Sequence, residues 1–330
     1  MNALVTGGCG FIGSSLTREL VRLGHSVTVV DDMSSGTLDS LAGLGIRVTF
    51  ADFLHEFNES VKEEREVTVV QGDFSHPEVL SCVRDGDFDV VFHQAAIPRV
   101  LYSVENPVET TNNNVTKTIA LMTACKESNA RFIFASSSSV YGGADTLPTS
   151  ESHEKSPKSP YAWQKSSIED AIDVFCNLYG LDALSLRYFN VFGPGQLGDS
   201  PYSTAVSAWC HAVKNGTPLR SDGDGEQTRD LCYIDNVVSA NILAATSKRK
   251  FSGQRYNIAC GDQISNNQIL EYFIKKFPGI EIIHAPERLG DVKHTRADIS
   301  LAMADIGYNP SHKFWEGLDR TVEWWGLSEH

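Results

Sequence analysis

Tyr161 and Lys165 stand four residues apart in Tyr161-Ala162-Trp163-Gln164-Lys165. On a helix that spacing puts both side chains on one face. A free tyrosine has a pKa near ~10, too high for a base at neutral pH. A neighbouring ammonium stabilises the phenolate and makes it a candidate general base. The ordinary alternative is a half-buried Tyr beside a solvated Lys. A second set of hydroxyls gives the pair a context. Phe132-Ile133-Phe134 reads as a strand and runs into Ala135-Ser136-Ser137-Ser138-Ser139-Val140-Tyr141-Gly142. Hydroxyls at the C-terminal end of a parallel strand sit where open α/β sheets bind ligands. A serine run is otherwise a flexible linker, but here apolar residues flank it on both sides.

A third feature supplies a partner for this chemistry. Thr6-Gly7-Gly8-Cys9-Gly10-Phe11-Ile12-Gly13 follows the first apolar run and opens the first helical pattern. Gly7, Gly10 and Gly13 let a turn tighten and let backbone amides approach a pyrophosphate, with Phe11 and Ile12 beginning the helix whose N-terminus faces it. The next strand ends in Val29-Val30-Asp31-Asp32. A carboxylate there, Asp31 with Asp32 beside it, accepts ribose hydroxyls and repels a 2′-phosphate, which favours NAD over NADP. Gly72-Asp73-Phe74 ends the third strand, where Asp73 would meet the adenine. Without these companions the turn would be a plain loop with two solvated acids. With them, the positive nicotinamide ring adds to Lys165 in stabilising a Tyr161 phenolate.

The elements that must position these residues alternate. Ala3-Leu4-Val5, Val27-Thr28-Val29-Val30, Val67-Thr68-Val69-Val70, Val90-Val91-Phe92, Phe132-Ile133-Phe134 and Leu184-Ser185-Leu186 read as strands. Helices are expected near Ser14–Leu23, over Val108–Ser128 and after Ser159-Pro160. Such alternation implies an α/β, Rossmann-type doubly wound parallel sheet with helices on both faces. Residues 44–66 are charged and fit no place in the alternation. We expect a surface excursion there, with a strand near Val48 and a helix near Phe57. Past Asn190, Gly- and Pro-rich loops separate short elements. The expected organisation is a dinucleotide-binding domain over 1–189, to which some later segments return. A smaller α/β lobe over 190–330 would serve mainly the substrate.

The ordered set of motifs resembles the extended short-chain dehydrogenase/reductase superfamily, and within it the nucleotide-sugar epimerases. Beyond the features above, the likeness rests on His93-Gln94-Ala95-Ala96, Asn113-Asn114-Val115, Arg187-Tyr188-Phe189-Asn190-Val191-Phe192-Gly193-Pro194, Arg229-Asp230-Leu231-Cys232-Tyr233-Ile234-Asp235 and Arg288-Leu289-Gly290-Asp291-Val292. The resemblance implies that Ser137 bonds a sugar 4-hydroxyl. Tyr161 is then the base, and Lys165 its partner on the nicotinamide ribose. It implies cofactor contacts from Gln94, Ala95, Ala96, Asn113 and Tyr188, along with Asp73 and Phe74. It puts Ser138, Ser139, Asn190, Thr204, Arg229, Arg288 and Asp291 at the nucleotide sugar, where two guanidiniums suit a pyrophosphate. The implied reaction is NAD-dependent 4-epimerisation of a UDP-sugar through a transient 4-keto sugar.

Related enzymes divert that keto sugar. Dehydratases of the superfamily carry Asp-Glu where this chain has Ser138 and Ser139, and uronate decarboxylases carry Glu at the Ser139 slot. Uronate 4-epimerases place Arg shortly after the Asn190 position, where this chain reads Gly195-Gln196-Leu197-Gly198-Asp199. A neutral sugar is therefore expected. Thr295 stands where a bulky Tyr excludes N-acetyl groups, so UDP-GlcNAc and UDP-GalNAc, with UDP-Glc and UDP-Gal, are the expected pairs. Arg99 either reaches the sugar pocket and an acidic group, or points to solvent or the cofactor phosphates. An NAD and nucleotide-sugar binding protein without turnover is the reading from another class.

The formal net charge of -14 disfavours nucleic acid as a partner. Seven scattered cysteines at no metal-ligand spacing read as reduced packing residues of a cytoplasmic protein, and no metal site is expected. The N-terminus enters a strand directly, so no signal peptide is expected, and no apolar run is long enough for a membrane span. The resemblance also implies a homodimer built on the helices near Val108–Ser128 and Tyr161–Tyr179.

Overall fold

The computed structural model of the chain describes residues 1–52, 66–199, 203–287 and 292–327. The first half runs β1 (Asn2–Thr6), α1 (Phe11–Arg22), β2 (Ser26–Asp31), β3 (Gly45–Phe50), β4 (Glu66–Gln71), α2 (Pro77–Asp85), β5 (Val90–His93), α3 (Val100–Glu105), α4 (Pro107–Thr111), α5 (Lys117–Ser128), β6 (Arg131–Ser137), α6 (Pro160–Tyr179) and β7 (Ala183–Tyr188). Then come β8 (Val191–Phe192), α7 (Ala205–Lys214), β9 (Leu219–Asp222), β10 (Thr228–Arg229), β11 (Cys232–Tyr233), α8 (Ile234–Thr246), β12 (Ser252–Ile258), β13 (Ile264–Ser265), α9 (Asn266–Lys276) and β14 (Ile282–Ala285).

One eight-stranded sheet has the order β12-β7-β6-β5-β1-β2-β4-β3. Parallel pairing joins β1 to β2 and β5, β4 to β2 and β3, and β5 to β6. This is the Rossmann-type α/β fold. Val27, Val29, Val67, Val69, Phe92 and Phe132 are fully buried. Sheets covered on both faces need such unbroken apolar runs. Each of these side chains contributes about 1.5–3 kcal/mol when removed from water, before the entropy of ordering. The chain leaves β1 toward β2 on one side and resumes at β5 on the other, so the order reverses at β1 and β5. The carboxyl ends at such a reversal are where these sheets bind ligands.

Two expectations change. The excursion over 44–66 contains the strand near Val48, but that strand is β3, the edge of the main sheet, in register with β4 from Gly45↔Glu66 to Phe50↔Gln71. An edge strand has one neighbour and tolerates charge, so Arg47 and exposed Val48 and Phe50 hid its place in the sheet. The helix expected near Phe57 lies outside the described residues. The single helix expected over Val108–Ser128 is a helical run with a π turn at Asn112–Thr116 between α4 and α5. Such π turns widen the helix and are frequent at functional sites.

The chain forms two compact units that do not divide at one point. The first comprises Met1–Val140, Pro157–Arg187 and Val238–Tyr256; the second comprises Tyr141–Ser156, Tyr188–Val237 and Asn257–His330. Among its described residues the second unit has short pairings, β8 with β11 and β9 with β14 in parallel, and β10 antiparallel to β13. All seven cysteines are free thiols. Among the described residues no helix is long and apolar enough to cross a membrane.

Candidate active site

The glycine turn leaves β1 with Gly7 at φ +68, and Gly10 caps α1 without a side-chain hydrogen bond. No acidic residue occupies the first turn of α1. Its first N–H groups are thus available to an anion. A Cβ on Gly13 would lie 2.1 Å from the Gly7 carbonyl oxygen, and one on Gly7 would lie 2.8 Å from the Ala95 backbone. Close packing of strand, turn and helix therefore requires these two glycines. Phe11 and Ile12 form the first turn of α1, both half-buried.

Asp31 ends β2 and is buried, with its carboxylate accepting from Cys9 N and Met33 N at 2.9 Å each. Burial raises its pKa above the ordinary value against the pull of those two N–H groups. The carboxylate therefore also fastens the glycine turn, and its remaining lone pairs are suited to a ribose diol. Asp32 is exposed and accepts from Ser34 N at 2.9 Å. Asp73, expected at the adenine, is ion-paired with Lys117, which also reaches Asn113 Oδ1 at 3.3 Å. Burial would raise the Asp73 pKa, but Lys117 and Ser75 bring it below the ordinary carboxylate value.

Phe74 is buried against His93, ring centroids 4.8 Å apart. His93 itself joins β1 to α5. Thr118 Oγ1 donates to Asn114 O at 2.9 Å, so it accepts from His93 Nε2 at 2.9 Å. His93 Nδ1 then accepts from Thr6 Oγ1 at 2.7 Å, and Ala95 N donates to Thr6 Oγ1 at 3.3 Å. This set requires a neutral ring. Burial and then the Lys165 charge push its pKa down to about 3. The folded value lies below the unfolded one near ~6.5. The stability it contributes is complete above that pH and is lost as pH falls toward the folded value. Between about pH 6.5 and pH 5 we expect a loss of about 2 kcal/mol from this group. Urea midpoints across that range should fall less in His93→Gln than in the parent; parallel losses would contradict the assignment.

Beyond His93, Gln94 Nε2 donates to Asn241 Oδ1 at 3.1 Å, and Ala95 and Ala96 are half-buried. Asn114, in the π turn, holds Ile97 N and O at 2.8 and 3.1 Å and donates to Gln164 Oε1 at 2.8 Å. Gln164 Nε2 reaches Thr110 and Thr111 at 2.9 and 3.1 Å. Arg99 is exposed at the start of α3.

Helix α6 begins at Pro160 under a Ser159 cap, Ser159 Oγ accepting from Ala162 N at 3.2 Å. Tyr161 N donates to Ser103 Oγ at 3.1 Å. The Tyr161 phenol lies beside Ser137 at the end of β6; burial pushes its pKa up to about 12, and the Ser137 hydroxyl pulls it down. Lys165 is buried, its Nζ donating to Ala135 O at 2.7 Å and lying 5.8 Å from the Tyr161 ring centroid. Burial lowers its pKa to about 7, with Glu169 raising it. From sequence, Lys165 and the nicotinamide ring together stabilise the phenolate. In the structure burial dominates both groups, and the ammonium is anchored on the strand. Ser138 and Ser139 are half-buried; Ser139 N donates to Ser137 Oγ at 3.2 Å, while the Ser139 Oγ is enclosed with no hydrogen-bond partner.

In the second unit Tyr188 is buried, and Asn190 adopts φ +30, strained for a residue with a side chain. Its Nδ2 donates to Asp230 O at 3.2 Å and Thr295 Oγ1 at 3.5 Å. Asp230, which the sequence reading passed over, is fully buried and accepts from Cys260 N, Gly261 N and Ala297 N, each at 3.0 Å. It thereby seats Asn190, Arg229 and Thr295 together. Arg229 donates to Thr228 O at 3.0 Å and Lys293 O at 3.2 Å. Thr204 caps α7 and donates to Gln196 Oε1 at 2.9 Å, so its hydroxyl serves the helix start. Arg288 and Asp291 lie outside the described residues.

The profile of the NAD dependent epimerase/dehydratase family matches residues 3–259. A UDP-glucose 4-epimerase of Mycolicibacterium smegmatis is 33% identical over 98% of both chains. The solved UDP-N-acetylglucosamine 4-epimerase from Methanobrevibacter ruminantium M1, in complex with UDP-N-acetylmuramic acid, superposes with a TM-score of 0.86 at 36% identity, covering 98% of this chain and 97% of that one. The UDP-glucuronic acid 4-epimerase from Bacillus cereus, in complex with UDP-glucuronic acid and NAD, gives 0.84 at 29% identity over 99% of both.

Proposed function

The chain belongs to the NAD-dependent epimerase/dehydratase family with NAD as its cofactor, and from that premise we propose that it is a UDP-sugar 4-epimerase acting on UDP-GlcNAc and UDP-GalNAc and accepting UDP-Glc and UDP-Gal. The observation that carries the reading is the meeting of Ser137, Tyr161 and buried Lys165 at the carboxyl end of β6. The first unit is assigned to NAD. The bare N-terminus of α1, the Gly7–Gly13 packing and the buried Asp31 carboxylate fit its pyrophosphate and adenosine ribose. The second unit, with Asn190, Arg229, Arg288, Asp291 and Thr295, is assigned to the nucleotide sugar.

Bound NAD supplies the acceptor for hydride from sugar C4 and, being unconsumed, the donor that returns it. Ser137 holds the 4-hydroxyl and passes its proton to Tyr161. Lys165, fixed on Ala135 O, presents an ammonium beside the phenolate. The 4-keto sugar turns, and Tyr161 returns the proton to oxygen as C4 is reduced on its other face. Two serines at 138 and 139 offer no acid–base pair for loss of water, which separates this reading from a dehydratase. Incubation with UDP-GlcNAc, UDP-Glc and UDP-glucuronate, with products resolved by NMR, tests it. We expect C4 inversion of the neutral sugars. Inversion of UDP-glucuronate alone would select the uronate reading, and inertness on all three the binding-protein reading.

Thr295 sets the acyl-group preference in this account. Thr295→Tyr is expected to lower kcat/KM for UDP-GlcNAc relative to UDP-Glc by roughly tenfold or more, the size of a steric exclusion. The hydroxyl also accepts from Asp230 N at 3.1 Å. Thr295→Val removes that acceptor without adding bulk and should leave the ratio unchanged. Equal preference in parent and Thr295→Tyr would contradict the assignment.

We place the protein in the cytoplasm, which suits seven free thiols, and assign it a homodimeric state. Trp163, Val174 and Leu178 form an exposed apolar stripe on α6, with Leu178 70% exposed, while Ile119 of α5 and Val108 of α4 are also exposed. Light scattering should give twice the chain mass; a monomer at working concentration removes the claim.

A further inference from the structure

Three consecutive residues of β6 face three residues on successive turns of α6. Ala135 O accepts from Lys165 Nζ at 2.7 Å, Ser136 Oγ donates to Glu169 Oε1 at 2.6 Å, and Ser137 stands beside the Tyr161 phenol. The outer two contacts involve the reacting pair. The middle one involves a residue that no catalytic step uses. Glu169 is fully buried, and its carboxylate is charged because two guanidiniums surround it. Arg187 Nε and Nη2 donate to it at 2.8 and 2.6 Å, and Arg255 Nε donates at 3.2 Å. Arg187 is itself fully buried on β7, so Glu169 is pinned from the sheet side and cannot swing toward solvent. Such a fixed anion sets the register between strand and helix with a directional, charge-assisted hydrogen bond.

We propose that Glu169, through Ser136, is a positioning residue that fixes the Tyr161 phenol and the Lys165 ammonium against the end of β6. The proposal rests on the reading that Tyr161 and Lys165 carry the reaction. Glu169 lies one helical turn beyond Lys165, and its charge also favours the ammonium. The other charged or titratable groups around this cluster are His93 on β5, held neutral, Tyr161 on α6, Arg187 on β7 and Arg255 on β12. Arg255 is paired in turn with Asp170 and Asp173 of α6. Glu169 is thus the anion closest in sequence to Lys165 on its own helix, and its charged neighbours on the sheet, Arg187 and Arg255, are cations.

Two variants test this. Ser136→Ala removes only the strand–helix tie and leaves both arginine pairs intact. Glu169→Gln keeps the shape and removes the charge. We expect Ser136→Ala to lower kcat about tenfold with KM unchanged, since small misplacements of reacting groups cost one to two orders of magnitude. In Glu169→Gln, the alkaline limb of the kcat profile should move to lower pH. In the full chain with nitrogen-15-labelled lysine, the Lys165 amine, assigned by its loss in Lys165→Met, should titrate at lower pH than in the parent. Should Glu169→Gln fail to fold, Ser136→Ala decides the matter through its kcat against KM. Ser136→Ala with the parent's kcat overturns the proposal while Tyr161→Phe remains inactive. Turnover surviving in Tyr161→Phe overturns the underlying reading, and the proposal with it.

Discussion

Tyr161→Phe is expected to lower kcat by roughly 10³-fold, within the usual range for loss of a positioned acid–base group, while leaving KM for the UDP-sugar and the NAD content unchanged. The variant removes one oxygen. That oxygen lies beside Ser137, and burial holds the phenol protonated in the chain alone, with a pKa of about 12. A base with so high a value works only when positive charge gathers beside it. Lys165, at about 7, is the chain's own contribution. The loss in stability should be small, about 1 kcal/mol for one hydrogen bond, so a folded but inactive protein is the expected outcome. Steady-state kinetics and thermal melting read both quantities. Turnover near that of the parent would remove Tyr161 from the mechanism.

Gly13→Ala is expected to strip the protein of NAD. The added Cβ would stand 2.1 Å from Gly7 O and 2.8 Å from Gly8 Cα. Both obstacles are backbone, so neither yields by a rotamer change. The turn must open, and with it the N-terminus of α1 moves away from a bound pyrophosphate. NAD released from the purified protein should fall more than about tenfold relative to the parent, because clashes of backbone on backbone belong to the severe class of substitutions. Circular dichroism separates loss of cofactor from loss of fold. Full NAD content in a folded Gly13→Ala protein would place the pyrophosphate elsewhere.

The sheet was legible because its inner strands are buried on both faces. Val27–Val30 and Val67–Val70 can be little else. β3 was readable as a strand near Val48 but not as part of the sheet, since an edge strand carries Arg47 and exposed Val48 without penalty. The π turn was hidden because Asn112, Asn113 and Asn114 suit a helix surface as well as a widened turn. In the second unit, pairings of two residues, such as Val191–Phe192 with Cys232–Tyr233, are too short to show any period. The Tyr161 and Lys165 pair was readable from spacing alone. Glu169 continues that spacing by one more turn, so a signal existed. Its meaning depends on Ser136 of β6 and Arg187 of β7, which only the fold brings to it. The same holds for Asp73, whose partner Lys117 lies 44 residues away, and for Asp230, whose three N–H donors come from Cys260, Gly261 and Ala297.

The central claim is oxidation and re-reduction at one carbon, inside one protein, by a resident NAD. UDP-GlcNAc carrying deuterium at C4 tests it most directly, incubated with the purified protein without added reductant and followed by NMR. The account predicts UDP-GalNAc with the deuterium still on C4 and none in the water. Inversion with the label lost to solvent, or no inversion at C4 of any UDP-hexose, would contradict it.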